Sequence, residues 1–310
     1  VYAGSSWYYL RYMDLQNPDV FCDKQKSDYW QQVDLYIGGA EHSVLHLLYS
    51  RFVTKVFFDL GYLEFEEPFT KFRAHGLLIK DGAKMSKSKG NVVVPDDYIG
   101  KFGADVLRTY LMFCGRYSAG GDFRDEGIEG MQRFLKRVWK LATSEKIKDS
   151  ELSGREELFM ENKTIKKVTS DIENLNYNTA ISSIMEYVNF LESSDSITRQ
   201  EISVLLRLLA PFAPYITEEL WHKLGFDNGK SIHISNWPEF DQKLATSDQI
   251  TLVVQVNGKV RDKLIVGRDV TKEQALELAR KSDNVRKFLS GKNEKHVVFV
   301  PERLINFVVA

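Results

Sequence analysis

The chain has 310 residues, 43% hydrophobic and 27% charged, with a formal net charge of −1 at pH 7. That length suggests about two domains, with room for a third and for a substantial core, and the composition excludes a disordered polyelectrolyte. Two cysteines, Cys22 and Cys114, lie far apart and form no Cys-x-x-Cys pair, which argues against a disulfide scaffold or a thiolate zinc site and fits a reducing cytoplasm. No apolar run approaches the roughly 20 residues of a membrane span.

Residues 1 to about 118 read as α/β. A strand over Asp34–Ile37 leads through Gly38-Gly39 into a helix from about Glu41 to Leu60. Val44, Leu45, Leu48, Phe52, Val56 and Phe57 recur at helical spacing, and Gly61 stops the helix; the parallel strands of this segment are expected to leave an unpaired edge and apolar surface exposed. A strand that turns through glycines into a helix suits a nucleotide, since strand ends and helix N-termini hold phosphate and ribose. A second strand, Gly76–Lys80, runs through an Asp81-Gly82 turn into Lys84-Met85-Ser86-Lys87-Ser88 and then Lys89-Gly90-Asn91. Pro95 starts one helix and Gly103-Ala104 another, which runs to Met112.

Beyond residue 118 the pattern turns helical, with segments near 127–147, 155–173, 178–192, 198–211 and 214–224. Amphipathic helices with short connections imply a bundle over 119–226. Residues 227–250 read as an irregular linker. From 251 to 310 strands at 251–256 and 259–266 flank Asn257-Gly258, the dipeptide favoured in a type I′ turn. Helices at 272–281 and 283–289 and strands at 296–300 and 304–309 complete a small α+β module. This last segment holds 12 Lys/Arg against 7 Asp/Glu, so a basic module ends an acidic body, a balance compatible with an RNA-contacting appendage and equally with solvated helix faces.

The chemistry concentrates in Lys84–Ser88. Lysine is a flexible point charge, and lysines set among hydroxyls and a glycine suit the charge on a polyphosphate. Lys89 and Lys80 are expected to be solvated. His42 and His46, four apart, are expected on one helix face; a zinc-protease pair needs Glu directly after the first His, and position 43 is Ser.

Several separated motifs resemble those of bacterial-type leucyl-tRNA synthetases, members of class I of the aminoacyl-tRNA synthetases. They are Gly4-Ser5-Ser6-Trp7-Tyr8-Tyr9-Leu10-Arg11-Tyr12, Asp34–His42 with His46–Tyr49, Lys84–Ser88, Gly127-Ile128-Glu129-Gly130 before Arg133–Trp139, and Val254–Ala310. Pro211–Trp221 is similar to the helical bundle of the leucine, isoleucine and valine enzymes. The resemblance implies the C-terminal half of a class I Rossmann-like catalytic domain, a helical tRNA-binding bundle and a small α+β tRNA-contacting module. It also implies the activity of a leucine–tRNA ligase, in which ATP activates leucine to leucyl-adenylate and the leucyl group passes to tRNA(Leu).

On this resemblance Lys84 and Lys87 are the catalytic cations, Lys87 the stronger. Gly38, Gly39, Glu41, His46 and Lys84, Met85, Ser86, Lys87, Ser88 bind ATP, with Mg2+ on its phosphates. Ser5, Tyr8, Tyr36 and His42 line the leucine pocket, while Trp7, Tyr9 and Tyr12 are expected in the core. No protein-bound metal is expected. The family's His-Ile-Gly-His-like tetrapeptide does not occur in the sequence, and neither the editing domain nor the leucine-specific insertion before Lys84 has room. Phe123 stands where the family pattern has Trp. The expectation is therefore part of an enzyme, a fragment or one subunit of a split one, that needs an N-terminal half for activity. A non-catalytic tRNA-binding protein is the alternative. The lysine loop and the pocket residues disfavour it, since a pure RNA binder has no use for them.

Overall fold

The computed structural model describes residues 2–149, 154–226, 228–246, 249–267 and 270–310. They fall into two compact units, Val1–Glu151 with Lys167–Pro238 and Leu152–Lys166 with Glu239–Ala310. The pattern of the sequence suggested a division near residue 118. The contacts draw none there: the α/β segment and the helices that follow share the first unit, and helix Arg155–Glu173 contributes to both units.

In the first unit Tyr36–Gly39 pairs parallel with Phe72–His75, Tyr36 opposite Phe72 and Gly39 opposite His75. A second sheet has the order Ala83–Lys84, Leu77–Lys80, Gly120–Phe123, Gly115–Arg116. Its central pair, Leu77–Lys80 with Gly120–Phe123, is parallel. The approach there is so close that a Cβ on Gly120, at φ +82°, would lie 2.0 Å from the Leu77 carbonyl oxygen. Only glycine fits that position.

The helix expected over 41–60 is broken. A 3-10 turn, Ala40–Val44, ends at Leu45 (φ −117°, ψ −100°), and the α-helix runs from His46 to Asp59. Most of its apolar stripe faces outward. Ser50 and Thr54 are fully buried with Leu47, while Leu48 and Phe52 are 53% and 67% exposed and Val44, Leu45 and Val56 also face outward. Tyr9 explains the inward face: its hydroxyl lies 2.8 Å from Thr54 Oγ1 and donates to the Ser50 carbonyl at 3.4 Å, and burial pushes its phenol up to about 12. Of the expected apolar stripe Phe57 packs, stacked on Phe21. Trp7 meets the edge of Phe21, but Tyr12 is exposed rather than in the core.

The helices Asp125–Ala142, Tyr177–Ser193, Arg199–Leu209 and Pro214–Lys223 carry the main core. Ile128, Val138, Ile181, Ile184, Leu205 and Leu220 are completely buried. Helix Arg199–Leu209 opens on a capping box in which the Thr198 side chain accepts from the Glu201 N–H and Glu201 accepts from the Thr198 N–H. Asp105, buried at the start of helix Ala104–Phe113, accepts the N–H groups of Tyr215 and Ile216 (3.3 and 2.6 Å), satisfying the free donors of helix Pro214–Lys223. Phe123, fully buried, fills its position with rings of Tyr98 and Tyr110 at its edges. The segment read as a linker is largely irregular. It nevertheless holds a 3-10 turn, Ile232–Ile234, buries Ile232, and anchors Trp237 by a 2.8 Å bond from Nε1 to Thr169.

In the second unit a four-stranded sheet has the order Lys259–Gly267, Gln249–Val256, Leu304–Val309, Glu294–Val300. Leu252, Val254, Ile305 and Phe307 from the sheet, Ala275 and Ala279 from helix Lys272–Lys281 and Val285 from helix Asp283–Leu289 form its core. Asn257 and Gly258 both take positive φ (51° and 76°), as the type I′ hairpin requires. The Asn257 amide then binds both backbone groups of Val309.

Candidate active site

The aromatic cluster forms where the strand Tyr36–Gly39 enters the 3-10 turn. Tyr36 Oη lies 2.7 Å from Tyr8 Oη and 2.6 Å from His46 Nε2. Behind them Phe69 stacks on Tyr36 at 3.8 Å between centroids. The His42 ring meets the edge of His46 at 6.1 Å, so the break at Leu45 separates the two histidines in secondary structure but leaves their rings adjacent. Burial pushes the Tyr36 phenol up, with Tyr8 adding to the shift. Burial, and then the charge of His42, pushes the His46 imidazole down. Both shifts favour the neutral forms of Tyr36 and His46, which with Tyr8 and Phe69 make a polar-edged aromatic wall.

Gly38 and Gly39 lie beside it. A Cβ on Gly38 would meet Phe72 and His42 at 3.8 and 3.9 Å, while one on Gly39 would lie 2.5 Å from the Glu41 carboxylate. The carboxylate of Glu41 thus folds back over the Gly39 backbone. Ser5, exposed, ends the short helix Tyr2–Ser5.

The lysine loop follows the second sheet. Lys84 ends the hairpin strand Ala83–Lys84, Met85 and Ser86 are half-buried, and Lys87–Lys89 form a 3-10 turn closed by Gly90 at φ +64°. Among the described residues Lys84, Lys87 and Lys89 have no ion-pair partner and are exposed. Lys80, expected in solvent, is instead held: its Nζ donates to Tyr98 Oη at 2.9 Å, lies 3.7 Å from Asp125 and sits over the Tyr98 and Phe123 rings. No pattern along the string could have shown this, because Tyr98 and Asp125 reach Lys80 only through the fold. Asn91 and Phe69 escaped the sequence reading too. Asn91 had a signal, its place directly after the loop; Phe69 had none.

Two open grooves of about 470 and 410 Å³ lie elsewhere in the first unit, and no residue expected to bind ATP or leucine lines either. Of the expected residues Gly39 is buried, Tyr8, Tyr36, Gly38 and His46 are half-buried, and Ser5, Glu41 and His42 are exposed. Among the described residues no His, Cys, Asp and Glu grouping could hold a metal ion, and no helix is long and apolar enough to cross a membrane.

Comparisons with known proteins give the family. Residues 26–122 match the model of class I tRNA synthetases (I, L, M and V), and residues 158–276 match the anticodon-binding domain of tRNA ligases. The chain belongs to the class I aminoacyl-tRNA synthetases. Among these it is similar over its whole length to the agnB2 LeuRS of Agrobacterium radiobacter K84, solved in a ternary complex with tRNA and LeuAMS, at 36% identity and a TM-score of 0.83. The leucyl-tRNA synthetase resemblance read from the motifs therefore holds throughout. The chain spans 42% of that enzyme's length.

Proposed function

We propose that the chain is the part of a leucine–tRNA ligase that carries the phosphate loop, the leucine wall and the tRNA-contacting helices. The observation that supports it most is the loop itself: Lys84 and Lys87 stand exposed, without carboxylate partners among the described residues, in the same unit as the aromatic wall. Adenylate formation needs positive charge where pyrophosphate departs and an apolar recess for the side chain of leucine.

In this reading the leucine carboxylate attacks the α-phosphorus of ATP. Lys84 and Lys87 stabilise the charge that builds on the departing phosphates, with Mg2+ arriving on the ATP phosphates. Met85, Ser86 and Ser88 line the same loop. Gly38 and Gly39 let the adenosine approach the backbone, Glu41 accepts from ribose hydroxyls, and His46 faces the nucleotide. Tyr8, Tyr36 and His42, with Ser5 at the edge, enclose the leucine side chain. A ribose hydroxyl of the terminal adenosine of tRNA(Leu) then takes the leucyl group. The bundle contacts the tRNA body, and the basic module of 251–310 binds by charge rather than by sequence. Such an enzyme works in the cytoplasm.

The reading includes a partner segment, bearing the His-Ile-Gly-His-like tetrapeptide, that covers the outward face of Leu48, Phe52 and Val56. The test is to combine the chain with such a segment and measure leucine-dependent ATP–pyrophosphate exchange and leucylation. Activity should appear only on combination, and Lys87→Ala should lower exchange by about 10²-fold with leucine affinity nearly unchanged. Leucylation by the 310-residue chain alone, or exchange that ignores Lys87, would overturn it. Removing 251–310 should weaken tRNA binding in a salt-dependent way, most at low salt where its charge contributes most, and leave exchange largely intact.

A further inference from the structure

The lysine loop is closed by a side chain that lies outside it. Asn91 Oδ1 accepts the Ser86 N–H at 2.8 Å, and Asn91 Nδ2 donates to the Lys84 carbonyl at 3.2 Å. One amide therefore spans the arc from Lys84 to Asn91 and fixes the backbone on both sides of Met85. Within the arc Gly90 supplies the left-handed turn, and the Ser86 and Ser88 hydroxyls lie 2.8 Å apart. The stem beneath is anchored independently. Lys80 is held by Tyr98, which donates in turn to Asp125, and the Gly82 N–H donates to Asp122 at 3.0 Å. The 3-10 turn holds the far arm through the Lys89 and Gly90 N–H groups, which donate to the Ser86 and Lys87 carbonyls at 3.1 and 3.2 Å, and the Asn91 amide is the side chain that ties that arm back to Lys84 and Ser86.

Charge explains why an amide serves there. Three ammonium groups within six positions repel one another, and nothing negative among the described residues holds them. A carboxylate at position 91 would accept the Ser86 N–H but would compete with a phosphate for the same lysines and face the Lys84 carbonyl without a donor. The neutral amide offers a donor and an acceptor and leaves the positive field intact.

We propose that Asn91 is a positioning residue of the phosphate loop, setting the backbone from which Lys84 and Lys87 present their charges. The inference rests on the reading of this loop as a phosphate site. It is testable on the 310-residue chain itself, with inorganic tripolyphosphate as the probe and backbone amide signals of residues 84–91 as the readout. Asn91→Ala should weaken tripolyphosphate binding by about tenfold, the scale of one lost hydrogen-bond pair, and speed exchange of the Ser86 amide by at least about as much. Amides of helix Tyr177–Ser193 should not change, which reports an intact fold. Asn91→Asp should keep the Ser86 amide slow, because the acceptor remains, yet bind the probe more weakly. Lys87→Ala should cost far less in the Asn91→Ala background than in the unaltered chain, because a misplaced lysine has little left to lose. Unchanged exchange at Ser86, or effects of the two substitutions that simply multiply, would overturn the proposal while leaving phosphate binding by the loop in place. Failure of the unaltered chain to bind tripolyphosphate would overturn the phosphate reading and this proposal with it.

Discussion

Two helices of the same unit solve opposite problems. Helix Arg199–Leu209 buries Ile202, Leu205, Leu206, Leu208 and Leu209 almost completely and begins with both halves of a capping box. Helix His46–Asp59 buries two hydroxyl side chains and turns Leu48, Phe52 and Val56 outward. The first is complete within the chain. The second has an amphipathic pattern whose apolar half finds no partner among the described residues.

The widest separation between them is in truncation. Leu205→Ala should destabilise the helical region by about 2–5 kcal/mol, from lost burial and the cavity left behind. Urea unfolding followed by helical circular dichroism measures it. A loss below about 1 kcal/mol would mean that the bundle is far looser than its burial implies. Next comes Thr198→Ala, which removes one half of the cap and leaves the buried Glu201 short of a partner; about 1–2 kcal/mol is expected from the same measurement.

The α/β segment should differ in acid. Hydrogen bonds from Lys26, Asn17 and the Asp23 N–H hold the Asp14 carboxyl at about 2, below its ordinary 3.8. A depressed carboxyl means that the unfolded chain binds the proton more readily. Its stabilisation is therefore full above about pH 4 and is lost as pH falls toward 2. Asp14→Asn should flatten the pH dependence of protection at amides of residues 10–27 over that window; an unchanged slope would assign the acid sensitivity elsewhere. The smallest effect should come from Phe52→Ser, within about 0.5 kcal/mol in the chain alone because the ring is already exposed. If Phe52→Ser costs as much as Leu205→Ala, the outward face is packed in solution and the comparison fails.

Local rules carried much of the fold. Helix Arg155–Glu173 has the ends its punctuation suggests, and Asn257-Gly258 adopts the turn its residue types allow. What periodicity could not reveal was destination. A stripe of Val44, Leu48, Phe52 and Val56 says that a face is apolar, not that its partner lies within the chain. The site divides the same way. The ordered string Lys84–Ser88 was legible because it is contiguous, and Tyr8, Tyr36, His42 and His46 could be named through resemblance. Their hydrogen-bonded chain, the backing by Phe69 and the retention of Lys80 depend on residues tens of positions apart, which only the folded chain brings together.

The triad of Tyr9, Ser50 and Thr54 also restricts what helix His46–Asp59 can do on its own. A chain with greasy side chains facing water would ordinarily relieve itself by rolling the helix half a turn about its axis. Here that rotation would tear the Tyr9 hydroxyl from Thr54 and leave it stranded among carbon atoms, at a cost of about 1–3 kcal/mol for the unsatisfied group. Leu47 would go out into water as Phe52 came in. The bonds of Tyr9 to the Thr54 hydroxyl and the Ser50 carbonyl thus act as a ratchet pawl, holding the helix in the orientation that keeps its apolar face outward.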